Sequence, residues 1–161
     1  MHILMCNDDG ILADGLRQLA TYLSQYYRVT VVAPATEQSA KSHALTTEIP
    51  LKLDAYNGED ENPRLYALTG TPSDCMKFGL SYLLADDMPD LVISGINHGF
   101  NLGSDVLYSG TVSAAMESAF YGIPGLALSV ERYSIERGYE MHPFIHELIE
   151  KIYVNGNFEG L

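Results

Sequence analysis

Basic residues are scarce in this sequence, which has nine Lys and Arg against 21 Asp and Glu and a formal net charge of −12. Nucleic-acid and anionic-membrane surfaces both need clustered Lys and Arg, so we expect neither class of partner. An anionic ligand would meet an opposing field, and local positive potential would have to come from a bound cation, helix amino termini or the few basic side chains. The charge balance therefore favours a divalent cation at any anion site.

Cysteine and long apolar runs are also scarce. Cys6 and Cys75 fit no zinc-site spacing and are expected to be inert buried thiols. No apolar run approaches the ~20 residues of a membrane-spanning helix, and the amino end has neither the basic nor the apolar region of a signal peptide. The sequence therefore predicts a soluble cytoplasmic protein, with one domain over residues 1–161 that buries about 70% of its unfolded surface.

The segment HILMCNDDG, residues 2–10, holds the first candidate site. An apolar run suited to a buried strand ends in Asn7, two adjacent aspartates and Gly10. Asp8 and Asp9 would point to opposite faces of a strand, so both reach one point only if the backbone turns, which Gly10 permits. Two carboxylates held together repel each other unless a cation or a proton lies between them. The corner is thus either a metal site or an ordinary Asp-Gly turn.

Predicted strands and helices alternate along the chain. The strands are apolar on both faces, which indicates a parallel sheet covered by helices on both sides. We therefore predict an α/β protein with a three-layer αβα fold, a Rossmann-like, mostly parallel sheet and a small β-hairpin insert beside it. The predicted strands lie within 2–10 and at 28–34, 64–68, 90–94 and 125–130, with an extended segment at 45–53, and the predicted helices lie at 16–27, 71–85, 111–122 and 139–153.

Ligands of such sheets lie beyond the carboxyl ends of the strands. Four oxygen-bearing side chains follow predicted strands at that edge: Asp8, Asp9, Ser39 and Asn97. Carboxylate, hydroxyl and amide oxygens suit one hard divalent cation, Mg²⁺ or Mn²⁺, with Ca²⁺ a further candidate, and the lack of a His or Cys cluster argues against zinc. Taken singly, Ser39 would be a loop serine and Asn97 a turn asparagine.

A second candidate site precedes the third predicted helix. The residues Ser109, Gly110 and Thr111 lead into a first turn whose N–H groups lack partners and suit a phosphate. The alternative is an ordinary Ser or Thr cap, and Asn101 is either a second phosphate donor or a surface turn residue. Phosphate monoester hydrolysis needs on the order of 20 kcal/mol of transition-state stabilisation and a helix end supplies about 0.3–2 kcal/mol, so a metal would have to supply much more.

Histidines give weaker signals. His43 and His98 lie in the two predicted site loops, where each is either a proton donor to a leaving group or an ordinary solvated side chain. His142 and His146 are four residues apart on the last predicted helix, but His142 is not followed by the Glu of the metalloprotease motif. We expect this second pair to be structural or at the surface.

Six motifs in this order resemble the SurE family, also called survival protein E, of metal-dependent 5′-nucleotidases. They are NDDG, the loop serine Ser39, GTPSDC, SGINHGFNLG, YSGTV with AAMES, and GIPGLALS. The resemblance covers residues 1 to about 130 closely and the last predicted helix more loosely.

The resemblance implies a phosphomonoesterase that hydrolyses nucleoside 5′-monophosphates to nucleoside and phosphate with one divalent metal ion. It also implies the roles of eight residues: Asp8 and Asp9 as catalytic residues and metal ligands, Ser39 and Asn97 as further metal ligands, and Asn101, Ser109, Gly110 and Thr111 as phosphate contacts. Some family members accept other phosphoesters or polyphosphate. The alternative is a nucleotide- or anion-binding module without turnover. A phosphatase with an aspartyl-phosphate intermediate is disfavoured, because such enzymes separate their two aspartates by one residue.

The sequence departs from the family pattern in two loops and in length. Ala40 stands where the family often has Gly, Asp14 where proline is frequent, and residues 36–38 where basic or amide residues are frequent. Family chains continue well past residue 161, into a further strand and a segment that exchanges between subunits of a homodimer or homotetramer. If this chain is a complete product, we expect an uncovered sheet edge or apolar patch, with association or instability as the result.

Overall fold

A six-stranded sheet lies at the centre of the computed structural model, which describes residues 1–131 and 134–151. The strands of these residues are β1 (His2–Cys6), β2 (Arg28–Pro34), β3 (Leu53–Ala55), β4 (Arg64–Leu68), β5 (Leu91–His98) and β6 (Gly125–Val130). Their order across the sheet is β3-β4-β2-β1-β5-β6. All neighbouring strands are parallel except β3 and β4, which are antiparallel. The predicted mostly parallel sheet is confirmed.

Helices cover both faces of this sheet. The α-helices of the described residues are α1 (Asp14–Leu23), α2 (Pro72–Phe78), α3 (Gly110–Ala119) and α4 (Ile135–Ile149). A π-helical turn over Gly79–Leu83 continues α2, and a 3₁₀ segment over Gly103–Tyr108 precedes α3. None of the helices in the described ranges has the length and apolar character needed to cross a membrane.

The central strand β1 divides the apolar core into two halves. Ile3 and Met5 pack with α1 and α4 on one face, whereas Leu4 and Cys6 pack with α2 and α3 on the other. Successive side chains of a strand point to opposite faces, so β1 is buried on both and the predicted three-layer αβα fold is confirmed. Cys6 and Cys75 are free and buried as predicted, and burial raises the pKa of the Cys75 thiol well above its ordinary value.

Helix α2 begins with a cap at Thr71. The backbone N–H of Asp74 donates to the Thr71 hydroxyl at 3.1 Å, and the backbone N–H of Thr71 donates to the Asp74 carboxylate at 2.9 Å. Pro72, which lacks an N–H, occupies the first helical position. This reciprocal capping box satisfies two backbone donors at the start of the helix.

Three predicted strand assignments were wrong in part. The predicted hairpin is present as the antiparallel pair β3–β4, but it forms one edge of the sheet, because β4 pairs in parallel with β2, and only the end of the extended segment forms β3. Strand β5 continues to His98, four residues past its predicted end, through an irregular register between Ser94 and Asn97. Strand β6 is half-exposed rather than buried, because it is the last strand in the sheet order.

Helix α4 differs from its prediction in start and in facing. It begins at Ile135 rather than at residue 139, and the predicted end at 152–153 lies outside the described residues. Ile145 and Ile149 are buried as the apolar pattern predicts, but Phe144 is 65% exposed. The inward face instead includes His142, which packs against Tyr22 with ring centroids 5.5 Å apart.

Two buried histidines, His2 and His142, should make the fold sensitive to acid. Burial lowers the pKa of both, and the Arg28 guanidinium, which donates to Nδ1 of His2 at 2.9 Å, lowers the pKa of His2 further. The unfolded chain therefore binds more protons than the native chain as the pH falls through about 6.5, so the free energy of unfolding should fall in that window. Each unit by which a folded-state pKa lies below the unfolded-state pKa corresponds to about 1.4 kcal/mol.

Urea unfolding at about pH 7.5 and about pH 5.5 measures this loss. The matched variant is His142→Phe, which keeps a ring at the position and binds no proton. It should lose less stability than the wild type between the two pH values, and an equal loss would show that His142 does not contribute.

Candidate active site

The turn after β1 brings two carboxylates to one place. The Asn7 side chain brackets the turn, donating from Nδ2 to the Gly10 carbonyl and accepting from the Gly10 N–H through Oδ1, both at 3.1 Å. Gly10 has a φ of +101°, a left-handed conformation that glycine adopts readily. Asp8 and Asp9 consequently line the same cavity, as the turn chemistry predicted.

That cavity has a volume of about 490 Å³ and lies at the carboxyl edge of the sheet. It gathers residues from four segments: the turn after β1, the loop after β2, the end of β5 with the following loop, and the start of α3. Six of the eight predicted site residues line it: Asp8, Asp9, Ser39, Asn97, Asn101 and Ser109. The other two, Gly110 and Thr111, lie directly against Asp8.

Asp8 is held from three sides. Asp8 is only 6% exposed, and its Oδ1 accepts a hydrogen bond from the Thr111 hydroxyl at 2.6 Å. Its backbone carbonyl accepts from the Gln38 N–H at 2.7 Å. A Cβ on Gly110 would lie 2.9 Å from Cβ of Asp8 and 3.1 Å from its Oδ2, so only glycine leaves the carboxylate this space.

The pKa of Asp9 is raised by its surroundings in the cavity. Burial raises its pKa, and the neighbouring Asp8 carboxylate raises it further, against the opposing effect of a hydrogen bond from the His98 backbone. The Glu37 carboxylate adds a smaller contribution in the raising direction. Because burial and the two neighbouring carboxylates disfavour the negative charge of Asp9, a cation between Asp8 and Asp9 would relieve these effects.

Ser39 and Asn97 supply the two other predicted oxygen donors. The Ser39 hydroxyl donates its proton to Oε1 of Glu37 at 2.6 Å, which leaves the oxygen lone pairs for another partner. The Asn97 amide nitrogen donates to the Gly99 carbonyl at 2.8 Å, so its oxygen lies on the other side of the amide group. Two carboxylates, a hydroxyl and an amide oxygen fit a hard divalent cation. The described part of the chain has no group of three or more His, Cys, Asp and Glu that could hold a metal.

The start of α3 forms another part of the cavity wall. Ser109 caps the helix, since its hydroxyl accepts from the Val112 N–H at 3.1 Å and its carbonyl accepts from the Ser113 hydroxyl at 2.7 Å. Asn101 donates from its amide nitrogen to the Ser129 hydroxyl at 2.7 Å. Ser109 is therefore a helix cap, the alternative that the sequence left open. Phosphate contact by Asn101, Ser109, Gly110 and Thr111 stays a prediction.

The sequence profile described as survival protein SurE matches residues 3–158 of this chain. The chain belongs to the SurE family. The resemblance inferred from the six motifs is thereby confirmed.

Individual SurE proteins match over most of the chain. The 5′-nucleotidase SurE of Thermoanaerobacter sp. (strain X514) is 50% identical over 156 residues, which are 97% of this chain and 61% of that protein. The 5′-nucleotidase SurE of Thermosipho africanus is 54% identical over 139 residues, 84% of this chain and 52% of that protein. The crystal structure of the SurE protein from Aquifex aeolicus superposes with a TM-score of 0.85 at 39% identity, over 99% of this chain and 62% of that one. The chain thus spans 52–62% of the length of these SurE proteins.

The cavity of this SurE chain also contains residues that the sequence reasoning did not select. Glu37, Asp105 and Tyr108 line it beside the predicted residues. Glu37 carried one usable signal, because it stands two residues before Ser39. Tyr108 carried a similar signal, because it directly precedes Ser109 in the YSGTV motif. Asp105 carried none, because only the path of the loop between β5 and α3 brings it to the wall.

The four histidines named from the sequence separate into different environments. His98 lines the cavity, whereas His43 contacts Glu117 at 2.6 Å. His142 and His146 pack among tyrosines between α1 and α4, with the His146 ring stacked on Tyr26 at 4.0 Å. The expected structural role of the second pair agrees with this packing.

Thr111 should act on the SurE site through Asp8, and Thr111→Val tests this role. Valine keeps the shape but removes the hydroxyl donor, leaving a buried carboxylate oxygen without its partner. We expect the free energy of unfolding to fall by about 1–3 kcal/mol and divalent-metal affinity by about 10–100-fold. Thr111→Ser, which keeps the hydroxyl, should recover most of the metal affinity measured by calorimetry. Equal affinities for the valine and serine variants would contradict this role.

Proposed function

We propose that this SurE-family chain is a metal-dependent phosphomonoesterase that hydrolyses nucleoside 5′-monophosphates to nucleoside and phosphate. The observation that carries the proposal is the shared cavity, in which Asp8 and Asp9 lie beside the start of α3. Such an arrangement offers a cation site and an anion site at one sheet edge. The printed names of the Thermoanaerobacter and Thermosipho relatives, 5′-nucleotidase SurE, support the same substrate class.

One divalent cation, Mg²⁺ or Mn²⁺, would be held by Asp8, Asp9, Ser39 and Asn97. The donor oxygens suit it, and burial together with the neighbouring Asp8 carboxylate raises the pKa of Asp9, an effect that a bound cation would oppose. Among the described residues that line the cavity, none is Lys or Arg. When bound, the cation neutralises negative charge on the phosphate and polarises the phosphoryl oxygens.

The chain's own donors would hold the phosphoryl group. In the first turn of α3, the Val112 N–H donates to the Ser109 hydroxyl, and the N–H groups of Gly110 and Thr111 stand before it as further donors. This turn contains no acidic residue that would repel a phosphate. The Asn101 amide adds a donor from the neighbouring loop. A water oxygen then forms a bond to phosphorus as the bond from phosphorus to the 5′ oxygen breaks, and the nucleoside oxygen takes a proton. We propose no covalent intermediate.

Phosphate release from a panel of nucleoside 5′-monophosphates tests this function. Turnover is expected with Mg²⁺ or Mn²⁺ and should stop when a chelator is added. Metal binding by a folded chain that releases no phosphate would overturn the proposal and favour a nucleotide- or anion-binding module. Turnover that persists with chelator would overturn the metal dependence.

We also propose that the chain forms a homodimer or homotetramer. The support is a set of large apolar side chains, 53–77% exposed, on and around α3: Phe100, Leu102, Leu107, Tyr108, Met116 and Phe120. Exposed apolar surface of this kind marks protein interaction sites. Light scattering should give a mass of two or four chains of 17.7 kDa. The mass of one chain at micromolar concentration would contradict this assembly.

A further inference from the structure

The loop that carries Ser39 is tied to the rest of the site at several points. We call residues 35–46 the Ser39 loop. Near its start, the Gln38 N–H donates to the Asp8 carbonyl at 2.7 Å. Farther along, Ser42 donates from its N–H to the Tyr108 carbonyl at 3.2 Å and from its hydroxyl to the Leu107 carbonyl at 2.6 Å. The loop thus lies against the segment that leads into α3.

The backbone of this loop needs such contacts to keep its shape. Ala40 and Ser42 have φ values of +57° and +56°, a left-handed conformation that residues with a Cβ rarely adopt. Ala40 also lines the cavity beside Ser39. A loop with two such residues relaxes toward ordinary backbone angles unless neighbouring elements hold it. Its contacts therefore decide where the Ser39 hydroxyl lies.

The strongest contact between side chains of the loop and of α3 is an imidazole–carboxylate pair. Nε2 of His43 lies 2.6 Å from Oε2 of Glu117, and the two side chains are 32% and 7% exposed. The Phe120 ring, one turn farther along the chain, lies 6.2 Å from the His43 ring. Since a carboxylate only accepts hydrogen bonds, the histidine nitrogen is the donor.

The geometry points to His43 and Glu117 as a positioning pair for the active site proposed above, on which this inference rests. Ser39 stands four residues before His43 on the loop, and Thr111, the partner of Asp8, stands six residues before Glu117 on α3. Neither His43 nor Glu117 lines the cavity. The pair joins the element that presents Ser39 to the helix that fixes Asp8, and so sets the distance between two predicted ligands.

Breaking the pair leaves the nearly buried Glu117 carboxylate without its donor, which the surrounding structure cannot tolerate unchanged. The loop and the end of α3 then move to let water reach the carboxylate. This movement shifts Ser39 relative to Asp8 and Asp9 while both core halves of the sheet stay intact. The pair therefore acts on metal affinity and on substrate turnover through geometry.

The test compares His43→Ala, Glu117→Ala and the double variant with the wild type. We measure the dissociation constant for Mn²⁺ by calorimetry, hydrogen exchange of the loop amides without metal, and phosphate release. Each single variant should weaken Mn²⁺ binding by about tenfold, as loss of a partner behind a metal ligand does. The Ser42 amide should exchange faster, and the double variant should bind Mn²⁺ no more weakly than either single variant.

Two further variants separate positioning from general stability. His43→Gln keeps a donor that reaches Glu117 and should recover Mn²⁺ affinity to within a few fold of wild type. His146→Ala removes a histidine that stacks on Tyr26 away from the site and should leave the affinity unchanged. If Glu117→Ala does not fold, the His43 variants still decide the question.

Wild-type Mn²⁺ affinity in His43→Ala would overturn the positioning role. Additive losses in the double variant would overturn the pairing of the two residues. Wild-type protein that binds Mn²⁺ but releases no phosphate would instead overturn the proposed function. The Mn²⁺ affinities of the variants would still test the positioning role of His43 and Glu117. Wild-type protein that binds no Mn²⁺ would overturn both.

Discussion

Phosphate release by the Asp8→Asn variant is expected to fall by about 1000-fold or more, together with the affinity for Mn²⁺. Asparagine keeps the oxygen that accepts the Thr111 hydroxyl at 2.6 Å but removes the charge that attracts a cation. Metal chemistry contributes several kcal/mol to such reactions, and each ~1.4 kcal/mol is tenfold in rate. The fold should persist, because the Asp8 carboxylate repels the Asp9 carboxylate and raises its pKa. The substitution removes this repulsion.

The matched control for this substitution is Asp14→Asn. Asp14 begins α1 in an exposed position outside the cavity, and its substitution removes the same charge. Activity and Mn²⁺ affinity of this variant should stay close to wild type. Activity of Asp8→Asn within tenfold of wild type, or an equal loss in Asp14→Asn, would contradict the role of Asp8.

The Gly95→Ala substitution should lower the free energy of unfolding by about 4 kcal/mol or more, which places it among the rare large effects of single substitutions. Gly95 has a φ of +126°, and a Cβ there would lie 2.3 Å from the Leu128 carbonyl oxygen and 3.1 Å from the Asn97 nitrogen. Both clashes are with backbone, so β5 and β6 would have to separate beside the cavity. Urea unfolding measures the loss of stability.

Gly58→Ala is the control for the glycine substitution. The nearest atom to its added Cβ would be Cγ of Glu61 at 3.8 Å, an ordinary contact, and the position has no left-handed φ. We expect its stability to stay within about 1 kcal/mol of wild type. If Gly95→Ala unfolds at the same urea concentration as this control, the packing of β5 against β6 is more permissive than the distances indicate.

Local chemistry explains which parts of the site could be predicted from the sequence. The bracket that Asn7 forms around the turn joins it only to Gly10, three residues away. The capping box at α2 likewise joins Thr71 to Asp74, three residues away. Because each pattern completes itself within one turn of chain, its residue types and spacing identify it before any tertiary structure is known.

Contacts between distant residues could not be predicted in this way. Thr111 was predicted as a phosphate contact, but nothing in the sequence indicated that its hydroxyl donates to Asp8, 103 residues away. His43 was weighed as a proton donor or a solvated side chain, and its partner Glu117 is 74 residues away. A hydroxyl or an imidazole can form hydrogen bonds with many kinds of partner. Which partner lies close depends on the order of the strands in the sheet, and no short stretch of sequence indicates that order.

The bounds of β5 and β6 were missed for a related reason. Gly95 indicated the end of a strand, yet the register irregularity lets β5 continue to His98 and carry Asn97 to the cavity. The apolar composition of β6 predicted burial, but exposure depends on position in the sheet, and β6 has a neighbour on one side only among the described strands. The composition of a strand shows that its side chains suit a buried position. Whether other elements cover those side chains depends on where the strand lies in the sheet.

The hydrogen bond between Thr111 and Asp8 also bears on how the protein folds. Contacts between residues so far apart in sequence close a long loop, which carries a large entropic cost and delays their formation. The proposed cation site therefore forms only after β1, β5 and α3 have come together. A cation bound there would stabilise the native chain but not a folding transition state that lacks the site, so it would slow unfolding and leave the folding rate unchanged. The concentration of metal would then set how long each folded molecule survives.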